Sequence, residues 1–175
     1  MPSTHDAGLV SRVLEGVARA TIEGAVDADT LAAVQAVGEW SDLVLAIEAH
    51  GLAPMAGRAL RSRLPETVER RLSAAARASA ARTLGLVSEL RRAHTALSGA
   101  GIVAVAFKGP VLGEQLYGDP VLRPSVDIDI LMRRCDVPLA LDALRRAGFE
   151  GGDRRRLSAY LDYQCEITLT RRRVI

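Results

Sequence analysis

Apolar residues return at three- and four-residue intervals through most of the first hundred positions. That is the period of a helix with one buried face. Leu9, Val13, Val17 and Ala20 predict a helix over about 7–24. Asp29 or Thr30 is placed to cap a second over Leu31 to Val37, and Ser41 to cap a third over DLVLAIEAH, which Gly51 ends. A short helix falls within Leu52 to Arg63 and stops before Pro65. Pro65 then opens a long helix to about Ser98, in which Val68, Leu72, Ala76, Leu84, Val87, Leu90 and Leu97 lie close to one stripe.

At Gly99-Ala100-Gly101 the pattern changes. Ile102 to Phe107 (IVAVAF) is a continuous apolar run, predicting a strand buried on both faces. VLGEQLY, with Pro110 near its start, predicts two helical turns, and Gly118-Asp119-Pro120 a turn. Val126 to Met132 (VDIDILM) alternates acidic and aliphatic residues as a strand does. Asp136 is placed to cap a helix from Val137-Pro138 to Gly148. A polar loop over Gly151 to Arg156, a helical piece over Leu157 to Leu161 and a last strand over Gln164 to Thr170 (QCEITLT) complete the chain. The expected class is α+β. A helical region over 1–98 precedes a β-α-β-α-β core over 99–175, with a small mixed sheet.

Composition narrows the function classes. The chain has 175 residues, 49% of them apolar, which is enough for a buried core and excludes wholesale disorder. Aromatics are only 3% and alanines number 28, so the core rests on small side chains and close helix packing. A net charge of +2, spread over both halves, excludes a protein that coats polyanions generically. Two cysteines without a CxxC pair exclude a disulfide scaffold or a zinc finger. With no signal peptide, a cytoplasmic location is expected. The longest run free of Asp, Glu, Lys and Arg, Ala93 to Phe107, is fifteen residues. A membrane span needs about 20. Of 23 basic residues, 22 are arginine and one is Lys108. GC-rich coding alone yields such a vocabulary, yet the single lysine draws attention to its position.

Two features carry chemistry. Asp127 and Asp129 are two apart in a predicted strand and would project from one face, with Ile128 and Ile130 on the other. Carboxylates so close repel unless a cation lies between them, and Mg²⁺ takes one or two of them together with substrate phosphates. Equally, such a pair can be the solvent face of an edge strand. Lys108-Gly109 lies where a strand hands over to a helix, a place of unpaired amides suited to phosphate. The same tripeptide with Pro110 also makes a plain turn.

Together the run FKGPVLGEQLYGDPVLRPSVDIDILM resembles the core of the uncharacterised nucleotidyltransferase family, within the DNA polymerase beta-like superfamily. WSDLVLAIEAHGLAP resembles the family's helical N-terminal portion, and the likeness covers about residues 38–170. The resemblance implies a Mg²⁺-dependent nucleotidyltransferase that holds a nucleoside triphosphate with two Mg²⁺ ions. It would pass the nucleotidyl group to an acceptor hydroxyl on a tRNA end, a protein or a small molecule. By the same resemblance Asp127 and Asp129 hold the metal, Lys108 and Gly109 the triphosphate, and Arg123 a phosphate; the plain structural role for Arg123 is as a partner of Asp127. Glu166 is the third carboxylate or base, standing two residues upstream of Thr168, near which the family's acidic residue falls. The alternative is a degenerate, non-catalytic member that binds nucleotide or docks a protein partner through its N-terminal helices.

Overall fold

The computed structural model describes residues 4–152 and 166–171. Five helices come first: α1 (Thr4–Glu23), α2 (Ala28–Gln35), α3 (Trp40–Ala49), α4 (Ala53–Ala59) and α5 (Glu66–Gly99). Strand β1 (Ala104–Phe107), helix α6 (Gly109–Tyr117), strand β2 (Asp129–Met132) and helix α7 (Val137–Arg146) follow. Strands β3 (Glu150–Gly151) and β4 (Leu169–Thr170) are two residues each. The class is α+β, as the pattern predicts. The helical piece at Leu157 to Leu161 and Arg154 to Arg156 lie outside the described residues. No described helix is long and apolar enough to cross a membrane.

The chain forms two compact units, each drawn from separate stretches. Unit one takes the residues up to Leu86 together with Lys108–Asp127, and unit two takes Val87–Phe107 together with the residues from Ile128 on. Helix α5 therefore contributes its first turns to one core and its last turns to the other.

In unit one Val13, Val17, Leu43, Ile47, Leu60 and Leu72 are almost wholly buried, and Tyr117 of α6 packs against the same cluster. Helix α1 passes close to α2: a β-carbon on Gly16 would lie 1.9 Å from the Thr30 hydroxyl oxygen. Two caps differ from those the sequence predicts. Asp27, not Asp29 or Thr30, caps α2; its Oδ1 accepts from the Thr30 amide at 2.7 Å and its Oδ2 from Arg19 at 3.0 Å. Thr30 is instead buried against α1. Helix α3 begins at Trp40, one residue before Ser41, because Trp40 packs on the core; its N-cap is Glu39, with no side-chain bond. Glu48 ties α3 to α5 through Arg71, with contacts of 3.0 and 2.7 Å.

The buried stripe of α5 also departs from expectation. Leu84 is 55% exposed, whereas Thr83 is fully buried and Ser79 nearly so. At 3.6 residues per turn Thr83 lies roughly 20° around the helix from Leu72, and Leu84 roughly 120°. Geometry selects the hydroxyl residue over the larger apolar one. Helix α5 ends in a Schellman arrangement: Ile102 N–H bonds the Leu97 carbonyl at 3.0 Å, Gly101 N–H bonds that of Ser98 at 3.0 Å, and Gly101 has φ +73°. The change of pattern at 99–101 is thus the physical end of the long helix.

In unit two β1 and β2 pair antiparallel, with Ala104 opposite Met132, Val105 opposite Leu131 and Phe107 opposite Asp129. Ala104, Ile130 and Met132 pack on Leu97, Ile102, Ala140 and Leu144. Val105 and Leu131, on the other face, are 58% and 64% exposed, so β1 is buried on one face rather than two. Asp136 does not cap α7 with its side chain; it bonds Arg133 at 2.9 Å instead. Strands β3 and β4 form a separate antiparallel pair, and Arg171 beside β4 reaches Glu89 of α5 at 2.5 Å.

Two measurements test this account. Gly16→Ala forces a methyl into the stiff, buried Thr30 side chain and should lower stability by about 1–3 kcal/mol in urea unfolding. Gly8→Ala, in the same helix with nothing within 4 Å, should raise it by roughly 0.5–1 kcal/mol. Hydrogen bonds from Thr30, then the charge of Arg19, hold the Asp27 carboxyl below its ordinary value, and Arg71 does the same for Glu48. A carboxyl depressed in the folded state contributes its stability above the unfolded-state pKa and loses it as pH falls through the lower, folded value. Stability should therefore drop below the ordinary carboxylate range, and Glu48→Gln with Asp27→Asn should flatten that acid limb.

Candidate functional site

The first half of the motif belongs to unit one. Strand β1 stops at Phe107, and Lys108 takes φ +58° with ψ −153°, a combination that non-glycine residues rarely adopt. Gly109 follows at φ +44° and opens α6, so two successive residues at positive φ turn strand into helix. A β-carbon on Gly109 would lie 3.1 Å from the Asp127 carbonyl oxygen and 3.9 Å from Ser125 Oγ. A side chain here would crowd this loop and strain a backbone already at positive φ. Leu112 N–H bonds the Lys108 carbonyl at 3.0 Å, and Pro110 has no N–H to offer. The Gly109 and Val111 amides remain the donors of the first turn without a helical partner.

Arg123 closes the same loop. Its Nη1 donates to the Gly109 carbonyl at 3.3 Å and approaches Ser125 Oγ at 3.5 Å, while Ser125 Oγ donates to the Arg123 carbonyl at 3.3 Å. The guanidinium thus fastens the Lys-Gly turn to the loop that delivers Asp127. Ser125, 8% exposed, is a part of this arrangement that sequence reasoning missed. Its only signal is its place between the Arg-Pro step and the acidic run. Asp127 is exposed and its carboxylate has no ion pair or hydrogen bond among the described residues.

Asp129 belongs to unit two. It is the first residue of β2, partly buried, and its register partner is Phe107, the residue just before Lys108. The strand predicted from Val126 begins only here, for a clear reason. The Lys108 turn leads the chain away from β1, so Val126, Asp127 and Ile128 have no strand to pair with. Asp127 therefore precedes the strand, and the shared-face argument for the two carboxylates gives way to their separation by one residue of chain. Glu166 is exposed and precedes β4, which pairs with β3 and not with β2. The strand predicted over Gln164 to Thr170 covers Leu169–Thr170 within the described residues. Among the described residues no group of three or more His, Cys, Asp or Glu side chains gathers in one place.

The family model of the uncharacterised nucleotidyltransferases matches residues 37–173, most of the chain and all of the motif from Lys108 to Met132. The chain belongs to this family. No curated protein and no solved structure matches it. Membership in the uncharacterised nucleotidyltransferase family carries a general nucleotidyl-transfer function. The carboxylates of the motif are oxygen donors of the kind that a magnesium ion accepts. Oxygen ligands from one or two carboxylates are what it takes when phosphate oxygens and water complete its shell, and Asp127 stands without another partner among the described residues.

Backbone geometry at Lys108 supplies a test. Gly ordinarily ranks below Ala in stability, but here the strained φ reverses the order. Lys108→Gly should be more stable than Lys108→Ala by about 1–3 kcal/mol in denaturant melts, since both lose the ammonium and only one keeps the strain. Equal stability of the two would mean that the turn is not held as described.

Proposed function

We propose that this nucleotidyltransferase is Mg²⁺-dependent and passes a nucleoside monophosphate from a triphosphate to an acceptor hydroxyl. The observation that carries the reading is the strained Lys108-Gly109 turn seated against the backbone of Asp127 and fastened there by Arg123. A phosphate-binding turn and a metal-binding carboxylate become parts of one loop assembly, which a plain surface turn has no need of.

Asp127 and Asp129 would hold Mg²⁺, and two bound ions would supply charge neutralisation at the transferring phosphorus and on the departing pyrophosphate. Lys108 binds the triphosphate as a mobile point charge, and the free amides at the start of α6 add donors to its oxygens. Arg123 acts as a positioning residue, because its guanidinium is bonded to the Gly109 carbonyl. Glu166 takes the proton of the acceptor hydroxyl, whose oxygen attacks the α-phosphorus as pyrophosphate leaves.

A second reading keeps the nucleotide and drops the chemistry. The absence of a three-carboxylate group among the described residues, with Glu166 beside a strand of the other pair, favours a binding module. Calorimetry with Mg-ATP and the other triphosphates, with transfer of α-labelled nucleotide to cellular RNA and protein, separates the two. Wild type should bind a triphosphate only with Mg²⁺ present, and Asp127→Asn or Asp129→Asn should lower transfer at least 100-fold, a loss of about 2.7 kcal/mol. Glu166→Gln should lower transfer while leaving binding intact. Binding without transfer selects the non-catalytic reading, and no metal-dependent binding removes both.

A further inference from the structure

Unit two contains a groove of about 670 Å³ along the last turns of α5 and the end of α7. Arg91 and Arg92 stand on one side and Arg146 on the other, with the hydroxyls of Ser88 and Thr95 between turns of α5. Its floor is alanine and glycine, and no carboxylate lines it among the described residues. Nearby acids are engaged elsewhere. Glu89 bonds Arg171 at 2.5 Å and comes only to 4.0 Å of Arg92, beyond hydrogen-bond range. Asp142 approaches Arg145 at 3.8 Å, and Arg145 itself is bonded to the carbonyls of Gly151 and Gly152. Arg91 and Arg146 have no ion pair among the described residues.

We propose that this groove binds the sugar-phosphate backbone of a single-stranded RNA, the acceptor of the transfer reaction; the inference rests on the nucleotidyl-transfer reading above. Guanidiniums on facing helices suit a ligand with repeated phosphates, each able to take a two-pronged contact. The alanine and glycine floor has no pocket for the apolar anchors by which an acidic peptide docks. No aromatic side chain lines the groove among the described residues, so the contact is with backbone rather than stacked bases and tolerates sequence. Thr95 Oγ1 donates to the Arg91 carbonyl at 2.9 Å and keeps its lone pairs for an incoming 2′-hydroxyl, the group that distinguishes RNA from DNA.

The test is fluorescence anisotropy of the full chain with a labelled mixed-sequence RNA 12-mer, without triphosphate. Three phosphate contacts at about 0.7 of a log unit each give a salt slope near −2, so affinity should fall roughly 20-fold between 50 and 200 mM salt. Arg91→Glu with Arg146→Glu should weaken binding at least tenfold. Arg77→Glu with Arg82→Glu, an equal charge change elsewhere on α5, should alter it less than threefold. If the double reversal unfolds on melting, Arg91→Gln with Arg146→Gln replaces it and should reduce the slope by about 1.4. Equal loss in the Arg77 and Arg82 control, equal affinity for the matching DNA 12-mer, or displacement of RNA by pyrophosphate or a polyglutamate peptide at the concentration of unlabelled RNA overturns the proposal. Asp127→Asn should keep RNA binding, and the Arg91 and Arg146 variants should keep Mg-ATP binding. Loss of one binding event alone therefore shows which of the two readings has failed.

Discussion

A backbone reversal at Lys108 and Gly109 governs the rest of the motif. Two consecutive residues at positive φ end β1 and start α6 without an intervening loop. Once β1 ends, residues 126–128 have no strand to pair with, and β2 can begin only at the partner of Phe107, which is Asp129. Because Gly109 lacks a side chain, the Asp127 carbonyl can come within van der Waals reach of the turn, and Arg123 closes the contact from the other direction. One strained step thus decides where the helix starts, where the second strand starts and which residues the acidic loop touches. Strain of that kind persists only where its surroundings over-determine it.

Small side chains set the packing in both units. In unit one the close approach of α1 to α2 at Gly16 leaves no room for a methyl, and the core is aliphatic, with no large ring among its fully buried members. In unit two the pattern inverts the usual rule for a strand. Ala104 faces the cluster while Val105 faces outward, because the core side is already filled by Ile102, Leu97 and Leu144. The strand that leads to Lys108 is held by backbone pairing and by alanine packing close. Its larger residues do little to anchor it.

How much of this the sequence discloses depends on the kind of signal. Helices α1, α3 and α5 were legible because a 3.6-residue period sustained over ten or more positions leaves few alternatives, and Gly101 marked the end of the last; α2 and α4, of eight and seven residues, were legible from capping residues and from Pro65. Caps were legible only in type. Asp27, Asp29 and Thr30 are all good capping residues, and the choice among them fell to a tertiary contact, Thr30 against Gly16, that spacing does not encode. The VDIDILM run reads as seven residues of strand because alternation is a local property, yet pairing is not, and its partner ends early. Likewise Lys108, Gly109, Asp127 and Asp129 stood out as candidates from residue type, whereas the tie through Ser125 and Arg123 did not. A serine after Arg-Pro has no pattern to announce it.

The solitary lysine fits this setting on physical grounds. Two arginines of this chain settle into forked contacts: Arg71 with both oxygens of Glu48 and Arg133 with both of Asp136. A planar five-donor group at the turn would tend to do the same with any carboxylate in reach and hold it in a bidentate pair. An ammonium on a flexible stem is a point charge without that directional demand. At position 108 it adds positive charge beside the turn without a two-pronged geometric demand on its neighbours. In a chain otherwise written in arginine, the strained step therefore carries the basic group with the least directional demand.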